Sequence, residues 1–415
     1  MSMTQTQEHN VPALRFPEFS GEWENSKLSK HVASLDAGVS VNSGDSPASS
    51  VKFGILKTSA VTNGVFEAHE NKVVFEDREI KRLKEPVQAE TIIISRMNTP
   101  ALVGANAYIE EDHKNLFLPD RLWAAKLASN SSTRFIAYIL GSAKGRSNLS
   151  RRATGTSGTM KNITKPDVLG LHISAPKLPE QQKIASFLSQ VDRKIAQLGE
   201  KKALLQAYKK GMMQKLFSQE LRFKDPQGHD FPDWEEKRLG ELGEIVTGKT
   251  PKTSDSSLWN GEIPFITPTD IDEDTKYLRV TIRNISKTEK LRILPSGSVL
   301  FTCIASIGKM CLSTEPSVTN QQINSLSVRG PNISEFVYYA LKKITPKIKA
   351  TQANTTLPII NKTEFSKFVI GLPSLPEQQK IADFLSSIDR KIDLLATELD
   401  HAKTFKKGLL QQMFI

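Results

Sequence analysis

Residues 173–217 read ISAPKLPEQQKIASFLSQVDRKIAQLGEKKALLQAYKKGMMQKLF, and residues 370–414 read IGLPSLPEQQKIADFLSSIDRKIDLLATELDHAKTFKKGLLQQMF. The two align at a constant offset of 197 without a gap, and about half of the positions are identical. LPEQQKIA does not arise twice in one chain by chance, so the chain is internally duplicated. Weaker echoes precede each copy. Leu14-Arg15-Phe16 with Trp23-Glu24 and Leu28 recurs as Leu221-Arg222-Phe223 with Trp234-Glu235 and Leu239. An apolar run ending in a glycine-bearing turn occurs at 91–104 and again at 298–308, and a short apolar helix at Phe135–Leu140 recurs at Phe336–Leu341. The plan is a globular unit over 1–177, a helix over 178–217, a second globular unit over 218–374 and a C-terminal helix over 375–415.

The repeated stretches are helical by period. Ile184, Leu188, Val191, Ile195, Leu198, Leu205, Met212 and Leu216 advance in alternating steps of three and four, interrupted only by Lys202 and Lys209. Ile381, Leu385, Ile388, Ile392, Leu395, Leu399, Ala402, Leu409 and Met413 do the same, with Lys406 as the exception. This is the a/d stripe of a coiled coil. Pro179 and Pro376 suit the first turn, and Glu180 and Glu377 complement the positive helix end. Leu178 and Leu375 are poor caps, so something else must satisfy the first amides. A stripe of this length must be buried. Packing of each helix on its own unit is one solution. Antiparallel pairing of the two helices, placing the units about a pseudo-two-fold axis, is the reading preferred here. About 35 helical residues span on the order of 50 Å, against about 34 Å for one DNA turn.

Composition narrows the function. With 415 residues and a formal net charge of +11, the chain suits two domains and a polyanionic partner such as nucleic acid. The only cysteines, Cys303 and Cys311, sit in an apolar stretch, and the seven histidines are scattered. A disulfide framework or zinc site is not expected. Met1–Val11 is polar and no stretch approaches 18 apolar residues, so neither a signal peptide nor a membrane span is expected. These features point to a cytoplasmic protein.

Each globular unit mixes strand-like runs, among them Thr91–Ile94, Phe117–Pro119, Ser298–Phe301 and Leu326–Val328, with turn signals at Asn63-Gly64, Asn260-Gly261, Pro295-Ser296-Gly297 and Gly330-Pro331. The class is α+β. A basic, hydroxyl-rich stretch follows each short apolar helix. The first offers Lys144, Arg146, Arg151, Arg152, Thr156 and Lys161, and the second Lys347, Lys349, Gln352 and Asn354. A further cluster, Lys249, Thr250 and Lys252, opens the second unit where the first has the uncharged Val39–Gly44. Lysine and arginine neutralise phosphates, and hydroxyls and amides bond phosphates or base edges, so these are the candidate DNA contacts. A solvated surface loop would carry the same composition, and for any one of these residues that is the simpler account. Equivalent placement in a duplicated chain favours DNA.

Gly243–Thr250 matches the phosphate-loop pattern GxxxxGK[ST], but Ile245 and Val246 lie inside the supposed loop and Pro251 follows at once. A phosphate loop needs a strand before it and a helix starting at Lys-Thr, so we read no nucleotide site there. Methyltransferase, dinucleotide and nuclease signatures are also not found, which favours a binding module over an enzyme.

The tandem helix starts at 178–185 and 375–382, the aromatic entry segments Leu14–Trp23 and Leu221–Trp234, and the stretch from Thr247 to Trp259-Asn-Gly-Glu-Ile-Pro-Phe-Ile-Thr-Pro-Thr-Asp270 together resemble the specificity subunits of type I restriction–modification systems. The resemblance implies two target recognition domains, each reading half of a split double-stranded DNA site, held apart by the helices. It also implies two methylation subunits and two motor-nuclease subunits as partners. S-adenosylmethionine, ATP and magnesium would belong to those partners, with no cofactor and no catalysis in this chain. Recognition residues in such proteins vary with the target, so no base contact carries over. A related targeting subunit of another phage-defence or methylation system, and a coiled-coil scaffold binding DNA without sequence preference, are the alternatives.

Overall fold

The computed structural model describes residues 10–155, 159–273, 275–278, 280–286, 291–352 and 358–415. Two compact units emerge, Met1–Ala196 with Asp400–Ile415, and Gln197–Leu399.

In the first unit an antiparallel four-stranded sheet runs in the order Val32–Ala37, Leu122–Leu127, Thr91–Ser95, Asn106–Ile109. Ile92 and Ile94 join Trp23, Phe135 and Leu188 on one side, while Ile93 joins Leu56 and Leu116 on the other. Strand side chains alternate between faces, so an unbroken apolar run is what a strand buried on both sides requires. A second sheet, Asn71–Val73, Gly54–Leu56, His113–Phe117, Pro86–Val87, contains one parallel pair.

The second unit repeats this order with different residues. Its main sheet is Gly243–Thr247, Ile323–Val328, Val299–Thr302, Met310–Leu312, and its smaller sheet Arg283–Ile285, Trp259–Ile266, Val318–Thr319 again contains a parallel pair. Val299 and Phe301 face one core and Leu300 the other. Cys303 and Cys311 are both buried free thiols. Burial pushes Cys303 up to about 11 and Cys311 to about 12.

Local differences from the sequence reading have simple causes. The strand expected through Pro119 ends at Phe117, before the residue that cannot donate to a ladder. Asn260-Gly261 is not a turn but a bulge inside Trp259–Ile266, with Asn260 in the left-handed region. The basic stretch after Phe135–Leu140 is itself helical: Thr133–Gly141 stops at Ser142, whose hydroxyl caps Ala143–Arg152 by accepting from Gly145 N at 3.1 Å. In the second unit one helix, Ser334–Gln352, runs through without a break.

The long helices are Leu178–Phe217 and Leu375–Met413. Within the first unit, Ile184 and Leu188 share a core with Leu409 and Met413, and Val191 packs against it. Within the second, Ile381, Leu385, Ile388 and Ile392 share a core with Leu216. Leu198 and Leu395 are buried and Ile195 partly so. The ion pair Asp192–Lys406 spans 2.5 Å in the first unit, and Asp389 pairs with Lys209 in the second. The two ion pairs occupy equivalent places of the repeat, since Asp192 and Asp389, and Lys209 and Lys406, are each 197 residues apart. Lys209 and Lys406, the intruders on the apolar stripe, are thus the cross-helix partners of buried or half-buried carboxylates. A tyrosine from each unit's short helix completes the set: Tyr138 donates to Asp192 at 2.6 Å and Tyr339 to Asp389. Burial, reinforced by the carboxylate, raises both phenols well above their ordinary value. Each helix therefore packs on a globular unit and pairs with the other helix at once.

The repeated LPEQQ has a local explanation. Glu180 accepts from Arg15 Nε and Nη2, both at 2.8 Å, and from Trp23 Nε1 at 3.3 Å. Glu377 accepts from Arg222 at 3.1 and 2.8 Å and from Trp234 Nε1 at 3.1 Å. The following glutamines bridge two backbones, Gln181 from Pro176 O to Ser132 N and Gln378 from Pro373 O to Ile333 N. The poorly capped first amides turn to the carbonyls of Lys177 and Ser374, which each accept from the two residues after the proline. Trp23, Phe135 and Phe414 form a triangle of edge-on and tilted rings, and Trp234, Phe336 and Phe217 form its counterpart. The far end of each long helix thereby closes the core of one unit.

Candidate nucleic-acid interface

A polar rim lies where the first strand of each main sheet ends. In the first unit Gly38 passes so close to Leu118 O that a Cβ would overlap it. Val39 N then donates to that carbonyl at 3.1 Å, and the Ser40 hydroxyl bonds Asp120. In the second unit Gly248 passes against Thr319 O and Asn320 O, Lys249 N donates to Thr319 O at 2.9 Å, and the Thr250 hydroxyl bonds Gln321 at 2.6 Å. The scaffold is the same, while the tips have changed from Val39, Ser40 and Asp120 to Lys249, Thr250 and Gln321. Here too the phosphate-loop match dissolves. Gly243–Thr247 is a paired strand, the Lys249 amide is already bonded, and no helix starts at Lys249.

The rim continues along the neighbouring strand. Arg96 N donates to Arg121 O at 3.0 Å, and Ile163 N to Arg96 O at 2.9 Å. In the second unit Cys303 N donates to Gln322 O at 2.8 Å, and Ile360 N to Cys303 O at 2.9 Å. Arg96 and Arg121 therefore stand where the second unit has Cys303 and Gln322. Sequence reasoning missed Arg96, Arg121 and Gln321 because they lie in short connections between strands that carry no run of positive charge. Only the shared backbone bonds align them.

The residues chosen from sequence do not all gather on this rim. Lys161 does, through the pairing of Lys161-Asn162 with Met97-Asn98. Arg151 is exposed on the adjacent helix without an acidic partner among the described residues. Arg146 is turned inward: Nη2 donates to Ala101 O at 3.2 Å, Nη1 is buried without a partner, and desolvation lowers its pKa. Arg152 reaches Asp167 O at 3.4 Å. Lys144 faces elsewhere, lining a cleft of about 670 Å³ with Lys403, Lys406 and Lys407. In the second unit Lys249 and Thr250 sit at the rim, and Lys349 lies over Gly308 in the turn beside it. Lys252 is exposed and its carbonyl accepts from Trp259 Nε1 at 3.1 Å, while Lys347 is exposed on the helix. Thr156, Asn354 and the side chain of Gln352 lie outside the described residues. Among the described residues no helix is long and apolar enough to cross a membrane, and no group of three His, Cys, Asp or Glu could hold a metal.

A family model described as the type I restriction modification DNA specificity domain matches residues 21–207 and again 232–404. The MjaIX type I restriction enzyme specificity subunit of Methanocaldococcus jannaschii is 33% identical over 186 residues, 43% of this chain and 43% of that relative. The chain thus spans less than half the length of that relative. A putative MjaX specificity subunit from the same organism is 24% identical over 329 residues, 77% of this chain and 76% of its own. The crystal structure of a type I restriction–modification S subunit from M. genitalium superposes with a TM-score of 0.66 at 18% identity, covering 98% of this chain and 99% of that one. That likeness speaks for the fold.

Proposed function

The chain belongs to the type I restriction modification DNA specificity family, and from that premise we propose that it recognises a bipartite double-stranded DNA target and directs partner subunits to it. The single observation that carries this reading is the duplicated rim. Two units keep the same strand order and the same glycine-lined turn, yet present Ser40-Asp120-Arg121 in one and Thr250-Gln321-Gln322 in the other. A scaffold preserved while its exposed polar tips change suits a pair of readers with different half-sites. Phosphate contacts fix register, and base edges supply sequence. The net charge of +11 supplies the sequence-independent attraction.

In this reading the chain performs no chemistry. Two methylation subunits carry S-adenosylmethionine, two motor-nuclease subunits carry ATP and magnesium, and the complex works in the cytoplasm. Lys161, Arg151, Lys249, Thr250 and Lys349 are the retained DNA contacts. Arg146 and Arg152 serve mainly to dock their helix. The test is to express the chain with its genomically neighbouring methylation subunit in a methylation-free host and map modified adenines by single-molecule sequencing. One split motif, modified on both strands, is expected. An assembled complex that modifies no defined motif overturns the proposal in favour of a scaffold without sequence preference.

A further inference from the structure

We propose that Arg96 is a guanine-reading residue of the first unit, an assignment that rests on the DNA-recognition reading above and deepens it. The guanidinium lies over the Trp123 ring, 5.5 Å from its centroid, and Nε points to Asn162 Oδ1 at 3.4 Å. Trp123 is 3% exposed, so the platform is fixed by the core of the sheet. The backbone of Arg96 is held on both sides, by Arg121 O and by Ile163 N. The two terminal nitrogens, by contrast, have no partner among the described residues. A guanidinium lying over a buried ring and held at Nε has little freedom left to lose on binding, so its outer fork is presented at low further entropic cost.

That presentation separates Arg96 from the three arginines of the adjacent helix. Arg146 is turned inward to a carbonyl, Arg152 is directed to another, and Arg151 projects from a helix without a platform. A phosphate is served by any flexible cation near the backbone. The O6 and N7 atoms of guanine need two parallel donors in a defined plane. The acidic neighbour points the same way. Asp120 is exposed beside Arg121 on the same rim, and a carboxylate is repelled by phosphate but accepts from a base amine. The rim is therefore suited to face base edges. The second unit has buried Cys303 at the position of Arg96, so this readout belongs to one half-site only.

The experiment compares methylomes of the full complex carrying wild-type chain, Arg96→Lys, Arg96→Ala and Asn162→Ala. Arg96→Lys retains the charge and loses the fork. The expected result is that one guanine in one half of the split motif becomes degenerate in both Arg96 variants. Discrimination at that position should fall by about 5- to 150-fold, while the other half and the gap stay unchanged. Asn162→Ala should relax the same position more weakly. A motif unchanged at every position in Arg96→Lys, with methylation either normal or uniformly reduced, overturns the assignment and marks Arg96 as a phosphate contact or a structural residue. Failure of the recognition reading itself looks different, because the wild-type complex would then yield no split motif at all.

Discussion

Removing the Glu377 carboxylate tests whether LPEQQ is a structural clamp. The Glu377 side chain is 0% exposed and Arg222 18%, joined at 2.8 Å, and the Trp234 indole N–H is directed to the same carboxylate. Glu377→Ala leaves a largely buried cation and a buried donor unpaired. Breaking such a pair costs about 3–5 kcal/mol. The lower end applies, because Arg222 Nη2 keeps the carbonyls of Phe231 and Pro232 at 3.1 and 2.7 Å. About 3 kcal/mol corresponds to roughly a 150-fold increase in local opening. Glu377→Gln keeps the shape and one acceptor, so about half that cost is expected. The assay is native-state hydrogen exchange on peptides covering 235–238 and 369–372, the paired entry strands. Peptides of the first unit, clamped by Glu180, are the reference. Exchange within about threefold of wild type in Glu377→Ala would refute the clamp, since that is under 1 kcal/mol.

Asp389→Asn should weaken the Lys209 and Tyr339 contacts and destabilise the second unit by about 1–3 kcal/mol, read as a lower urea midpoint; Leu385→Ala, in the same fully buried core, should cost about 2–5 kcal/mol. His31 sits buried between Ser26 and Ser131 at 2.9 and 2.8 Å, and burial lowers its pKa. The folded state then binds fewer protons than the unfolded chain, so this contribution is present above the unfolded value of about 6.5 and is lost as pH falls below it. Thermal midpoints of wild type should drop more steeply than those of His31→Gln between about pH 7.5 and 5.5, and parallel profiles would contradict this. Inserting one heptad into both long helices adds about 10 Å of helix, and on the DNA reading it should lengthen the gap between half-sites without altering either half; a changed half-site sequence would count against it.

Much of the architecture was legible because duplication makes the chain its own alignment. The heptad stripe, the proline-led helix starts and the run Thr91–Ile94 each follow from one period or one turn, and each appears where the residues placed it. Polar partnerships over long separations were not legible. Arg15 and Glu180 are 165 residues apart, and nothing in a linear reading says that the glutamate of LPEQQ belongs to the arginine of the entry segment. The candidate interface suffered for the same reason. Charge density drew attention to residues 144–152, yet the helix starting at Ser142 turns Arg146 inward and sends Lys144 to another face. Arg96 and Gln321 carry no local density, and only cross-strand hydrogen bonds reveal that they share one rim.

The closure of each core by a distant helix end bears on how the chain matures on the ribosome. The second unit is continuous from Gln197 to Leu399, so all of its residues have been made once that segment has emerged. The first unit is synthesised earlier but lacks Leu409, Met413 and Phe414 until the chain has been extended beyond the whole second unit. Trp23 and Phe135 therefore wait, partly uncovered, through the synthesis of the whole second unit. At about 5–20 residues per second that wait lasts on the order of ten seconds or more. The unit made first is thus completed only after the second.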